Sequence, residues 1–229
     1  MKTHIKSSLA ALAVGLLAHA PAESAVVFTY QNVLSCGTLS SCSIATNGNL
    51  SEPSQGYSGV TGFDSQFARG TAITAYLDGL PTHTTVGIDF LLAVIDSWDG
   101  LTPSGVVPDI FEVKVDGTTV FSAGYDIFDA ADQSPVRGTQ LAYNVALGFS
   151  GWNDAAYDMA SVAALQGIAH SASTMSVEFL FANSQGIDDE SFALENLRIS
   201  VDSASVPEPS ALALFGLALS GFAFARRKA

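Results

Sequence analysis

The residues best suited to chemistry in this 229-residue chain are acidic and stand at the ends of apolar stretches. Asp96-Ser97-Trp98-Asp99-Gly100 closes one such stretch and Asp109 opens the next. Asp96 and Asp99 are expected to project from a turn with free backbone carbonyls, where Gly100 permits an unusual dihedral angle. Asp109 is expected to return to the same end of the fold after the 101–108 loop. Two or three carboxylates with loop carbonyls suit a hard cation, and calcium is the expected cofactor. A second acidic run, Asp188-Asp189-Glu190-Ser191, precedes the last apolar alternation, with Glu195-Asn196 at its start. Asp189, Glu190 and Asn196 form the second candidate ligand set. The competing role for these residues is the formation of turns, which Asp and Gly do in any loop.

Aromatic rings offer an apolar face to a pyranose, so Trp98, Trp152, Tyr125 and Tyr157 are candidates for sugar contact, against core packing as the ordinary use of such rings. Trp152 sits in the polar run Gly151-Trp152-Asn153-Asp154 and is the leading one. Enzyme signatures are sparse. His83 and His170 belong to no His-Glu-X-X-His motif, and neither a Gly-X-Ser-X-Gly elbow nor a phosphate-cradling glycine loop occurs. The expectation is therefore a non-enzyme. The alternative is a secreted carbohydrate-active hydrolase, which would need only two carboxylates. Cys36 and Cys42 are close enough for a local disulfide and lack the Cys-X-X-Cys spacing of redox pairs.

The elements that must position these side chains read as all-β. Residues 85–95 (TVGIDFLLAVI) put Val86, Ile88, Phe90, Leu92 and Val94 on one face with Asp89 opposite, the period-two pattern of a half-buried strand. Phe111, Val113 and Val115 alternate with Glu112 and Lys114, and Asp116-Gly117 then supplies a two-residue hairpin turn. Met175, Val177, Phe179 and Phe181 alternate, as do Leu197, Ile199 and Val201. Weaker strands are expected at 26–30 and 71–77, and a helical turn at 154–164, where alanines cluster. Short strands between Gly/Asp/Ser/Pro loops predict a single β-sandwich, a jelly roll, over residues 26–205.

The two ends read as processing segments. Residues 1–25 have the Lys2 and Lys6 n-region, the apolar run LAALAVGLL and the small residues Ala20-Pro21-Ala22 of a signal peptide, with Ala25 as a later cleavage option. Residues 206–229 join Val206-Pro207-Glu208-Pro209 to an apolar run that ends in Arg226-Arg227-Lys228. A helix of those fifteen apolar residues reaches about 22 Å, short of the ~30 Å hydrocarbon core. Cations after the run stay cytoplasmic, so the preceding chain faces outward.

This tail resembles the PEP-CTERM sorting signal. The resemblance implies that the chain is parked transiently in the inner membrane of a Gram-negative bacterium by a hydrophobic helix and cut near Pro207-Glu208-Pro209 by an exosortase. Carriers are surface or exopolysaccharide-matrix proteins of biofilm-forming bacteria. The 71–201 stretch resembles, more loosely, the jelly-roll domain of many such secreted proteins, which is similar to concanavalin-like and galactose-binding-like sandwiches. Relatives finish with Glu-Ser-Trp and Asp-Asn where this chain has Glu190-Ser191-Phe192 and Glu195-Asn196. That likeness implies a lectin-like or matrix-adhesive module, with polysaccharide as the partner.

Without its ends the chain is more acidic than its total of −13 suggests. Residues 26–205 hold twenty of the 22 acids and only Arg69, Lys114, Arg137 and Arg198, for a net charge near −16. Nucleic acid and anionic membrane surfaces are excluded as partners, because their binding rests on Lys and Arg. Such charge either serves solubility or calls for neutralising cations.

Overall fold

The computed structural model describes residues 24–102, 107–149, 151–182 and 185–202. The signal segment through residue 23 and the tail with Val206, Pro207, Glu208, Pro209, Arg226 and Arg227 lie outside the described residues. Ser24 and Ala25 are described, and they already pair with Asp202 and Val201 in a sheet.

Fourteen strands are found among the described residues. They are β1 (Ser24–Gln31), β2 (Val33–Ser35), β3 (Ser41–Thr46), β4 (Asn49–Pro53), β5 (Gln66–Gly70), β6 (Ala72–Asp78), β7 (Thr85–Asp96), β8 (Ile110–Val115), β9 (Thr118–Gly124), β10 (Thr139–Val145), β11 (Asp154–Asp158), β12 (Ile168–Ala169), β13 (Thr174–Phe181) and β14 (Glu190–Asp202). One antiparallel sheet runs β10-β11-β7-β14-β1-β2, with β12 on β7 and with β5 on β14 carrying β4. The other runs β3-β6-β13-β8-β9. The chain crosses between sheets at β2–β3, β3–β4, β5–β6, β6–β7, β7–β8, β9–β10, β12–β13 and β13–β14, so the fold is the expected all-β sandwich.

The predicted alternations face the interior. Phe111, Val113 and Val115 meet Met175, Val177, Phe179 and Phe181 and the β7 row in one core, where Phe90 lies edge-on to Phe179 at 5.1 Å. Each large apolar side chain so buried contributes about 1.5–3 kcal/mol. The Asp116-Gly117 turn has φ of 49° and 76°, the double positive that makes Asp-Gly its preferred sequence. Cys36 and Cys42 are disulfide-bonded across the β2–β3 connection.

Three features differ from the sequence expectation. Strand β7 is buried on both faces from Leu91 to Ile95, because Tyr57, Phe63, Phe67, Leu147 and Phe149 form a second aromatic cluster over Leu91, Ala93 and Ile95. The expected helical turn at 154–164 is β11 followed by a short 3-10 turn at Ala163–Leu165. Ala155, Ala156 and Tyr157 pair with Val94, Ala93 and Leu92, and this central sheet position outweighs the helical preference of alanine. Strand β14 begins at Glu190 and changes phase midway: Phe192 and Leu194 face the core, then Leu197, Ile199 and Val201 do. A bulge at Asn196-Leu197, with Asn196 at φ 53°, sets two residues against Phe90 and makes the switch possible.

Candidate metal and ligand site

One end of the sandwich gathers the acids. Strand β7 ends at Asp96 with φ 73°, and the chain turns through Ser97 and Trp98 to Asp99, which bridges to Asp126 beyond β9. Gly100 has φ 81°, and a Cβ there would meet the Asp132 carbonyl at 2.6 Å and the Asp126 side chain at 2.9 Å. This position therefore demands glycine on both conformational and steric grounds. The Asp109 N–H donates to the Gly100 carbonyl (2.9 Å), and the Asp99 N–H donates to the Asp109 carboxylate. Strand β14 opens with Glu190 opposite Asp96.

The result brings Asp99, Asp109 and Glu190 together, with one oxygen of each within 4.8 Å of the others. Asp109 and Glu190 are buried and Asp99 is half-buried. Burial, with the Glu190, Asp99 and Asp126 charges, pushes the Asp109 carboxyl up to about 7. Burial, with Asp126 and Asp189, raises Asp99. Glu190 is raised chiefly by burial and further by Asp189 and Asp99, against hydrogen bonds from Gln185. The ion pairs Arg69–Glu52, Lys114–Glu112 and His170–Asp116 join other residues. These residues fit a hard divalent cation: its oxygen ligands at about 2.4 Å span up to roughly 5 Å across the ion.

The other candidate ligands are placed differently. Asp96 is buried beside Asp154, whose carboxylate accepts from the Asp96 N–H at 3.1 Å, and it stands outside the group of three. Asp189 is at the rim, where it accepts from the Ser97 hydroxyl at 3.5 Å. Asn196 is corrected outright: it lies at the mid-strand bulge, and its amide donates to the Gly62 carbonyl at 2.8 Å.

The aromatic candidates also divide. Trp98 is 0% exposed, stacks on Phe181 with centroids 3.8 Å apart, and donates its ring N–H to the Ser191 carbonyl. It is a core residue and offers no ring to a ligand. Tyr125 and Tyr157 are buried too, the former donating to the Arg137 carbonyl and the latter to Gln133. Trp152 is 54% exposed, and Phe128, 47% exposed, stands edge-on to it at 5.8 Å. Phe128 was not anticipated, although its flanking Asp126 and Asp129 mark a surface loop. The Asp126 carboxylate accepts from the Phe128 and Asp129 N–H groups, so the residue bridged to Asp99 also holds the aromatic loop.

The class so far is an acidic β-sandwich with a carboxylate-rich, aromatic-tipped end. Its tail supplies the destination: residues 205–228 match the PEP-CTERM protein-sorting motif. A chain carrying this motif is exported, held transiently in the membrane and released to the surface, with exosortase as the processing enzyme. No curated protein sequence matches this one. Solved structures with partial likeness include the CBM36-1 domain of a multidomain xylanase from the hindgut metagenome of Trinervitermes trinervoides, at 12% identity over 77% of this chain and 96% of that one, TM-score 0.34. Another is the catalytic domain of a GH87 α-1,3-glucanase in complex with nigerose, at 14% identity over 73% of this chain and 28% of that one, TM-score 0.30.

Proposed function

We propose that the exported body is a calcium-stabilised, non-catalytic module that binds polysaccharide at the surface or in the extracellular matrix of a Gram-negative bacterium. The observation that carries this reading is the exposed Phe128–Trp152 pair, held by the same Asp126 that bridges to the acidic cluster. Asp99, Asp109 and Glu190 would hold the cation, which when bound neutralises their mutual repulsion and fixes the loops. Asp126 orients the Phe128 loop, and the two rings supply apolar faces for sugar C–H groups.

Affinity electrophoresis of residues 24–204 through gels cast with neutral and acidic polysaccharides tests the proposal. Retardation that is lost in Trp152→Ala and on chelation supports it. Equal retardation of the wild-type chain and Trp152→Ala overturns the aromatic platform. Release of reducing ends from the same polysaccharides would instead mark a carbohydrate-active hydrolase.

A further inference from the structure

The outer face of the larger sheet is closed at one half by the Tyr57, Phe63, Phe67 and Phe149 cluster and open at the other. The open half holds a hollow of about 570 Å³ floored by four adjacent strands, β11, β7, β14 and β1. Thr29, Arg198 and Asp89 form one cross-strand row across this floor: Thr29 is opposite Arg198, and Arg198 is opposite Asp89. Asp158 is opposite Leu91, one diagonal step further on. The Asn196 bulge and the Gly62 carbonyl it binds make one wall.

Hydrogen-bonding capacity in the row is left open. Arg198 and Asp89 are direct cross-strand neighbours, a position in which opposite charges ordinarily pair. Nevertheless the Arg198 guanidinium makes no ion pair with any described residue. One Asp89 oxygen accepts from Gln166 at 2.7 Å, and one Asp158 oxygen accepts from the Ala160 N–H at 3.0 Å. The second oxygen of each faces no donor among the described residues. Five fork donors and two carboxylate oxygens thus line one hollow beside the apolar Leu91.

We infer that this hollow is a second ligand site, separate from the acidic tip, and that it takes a neutral saccharide. The charges select the class. An anion is repelled by Asp89 and Asp158 and a cation by Arg198, so a ligand of either charge gains from one part of the row and loses at the other, Arg198 being exposed and the two aspartates half-buried. A hydroxyl satisfies both signs at once, donating to Asp89 while accepting from Arg198. A sugar ring repeats that arrangement along its edge and offers C–H groups to Leu91. The volume lies within the range of small-ligand sites, about 300–1,000 Å³.

Titration of the ¹⁵N-labelled body with cello-, xylo- and mannohexaose, followed by backbone amide shifts, tests the inference. At least one hexaose is expected to shift the amides of Thr29, Asp89 and Arg198, and to do so equally in EDTA and in Trp152→Ala. Arg198→Met, which keeps the apolar stem, and Asp89→Asn are each expected to weaken that binding about tenfold or more, the loss of a hydrogen bond to a charged group. No shift in the row with any hexaose at millimolar concentration overturns the inference. So does binding only of a polyanion such as polygalacturonate. Shifts confined to the Phe128–Trp152 loop would support the tip and sink the hollow; shifts confined to the row would do the reverse.

Discussion

Trp98 and Trp152 sit in aspartate-containing segments associated with the same acidic end, yet they belong to opposite kinds of surface. Trp98 is clasped between Phe181 and Tyr125 with its N–H satisfied by Ser191. Trp152 stands edge-on to Phe128 and is 54% exposed. At this end Asp99, Asp109 and Glu190 come together, the last two buried and Asp99 half-buried. The closed side builds the scaffold and the open side is free to recognise. The protein has thus placed a costly carboxylate group where packing holds it rigid and where one member still reaches water.

The comparison can be broken at four points. The largest effect belongs to Trp98→Ala, which empties a fully buried site and is expected to cost about 3–5 kcal/mol in urea unfolding. A loss below about 1 kcal/mol would mean that Trp98 is no pillar of the fold. Calcium comes next. At a hundred times its dissociation constant it should add about 2.7 kcal/mol, a rise of several degrees in the melting midpoint. Asp109→Asn should abolish that rise without lowering the midpoint in EDTA, because it removes a repelled charge. An identical midpoint with calcium and with EDTA would remove calcium from the account of the closed side.

The pH response is the third point. Burial holds Asp154 at about 6 and Glu195 at about 7, above their unfolded values. The folded chain then keeps protons that the unfolded chain has released. Their contribution is full below about pH 4 and is lost as pH rises through 6 to 7. In EDTA, where Asp109 at about 7 adds to the same trend, the melting midpoint should fall steadily between pH 5 and 7.5. Asp202 runs the other way: hydrogen bonds from Thr84 and Thr85 hold it low, so its contribution disappears only at acid pH. A midpoint that climbs from pH 5 to 7.5 would contradict the signs. Smallest is Trp152→Ala, expected to change stability by less than about 0.5 kcal/mol while removing retention on polysaccharide. A larger loss of stability would make Trp152 a second Trp98.

Much of this protein was legible before any coordinates. The alternations at 85–95, 111–115 and 174–181 correctly named the core face, and Asp116-Gly117 its hairpin. Where reading failed, the missing information was nonlocal. Alanines at 155 and 156 read as helix because their partners, Val94 and Ala93 on β7, are far away in sequence. Asn196 looked like a ligand because proximity to Glu190 in sequence says nothing of the strand that carries it six residues away from the sheet end to a mid-strand bulge. Trp98 and Trp152 both precede a polar residue in a loop, Asp99 and Asn153, and only packing separates them. Asp126 and Phe128 carry a local signal, an aromatic between aspartates, that by itself does not distinguish a ligand-facing loop from an ordinary turn.

The residue order by itself determined the destination and the architecture. A sorting motif is a contiguous string, and the period of two along a strand records which face meets the core. Tertiary structure decided which acids meet, which tryptophan is open and which half of a sheet stays uncovered. Asp99, Asp109 and Glu190 become neighbours only when β7, β8 and β14 reach the same end of the sandwich. That meeting depends on which loops the packed sheets bring together, and no local pattern encodes it.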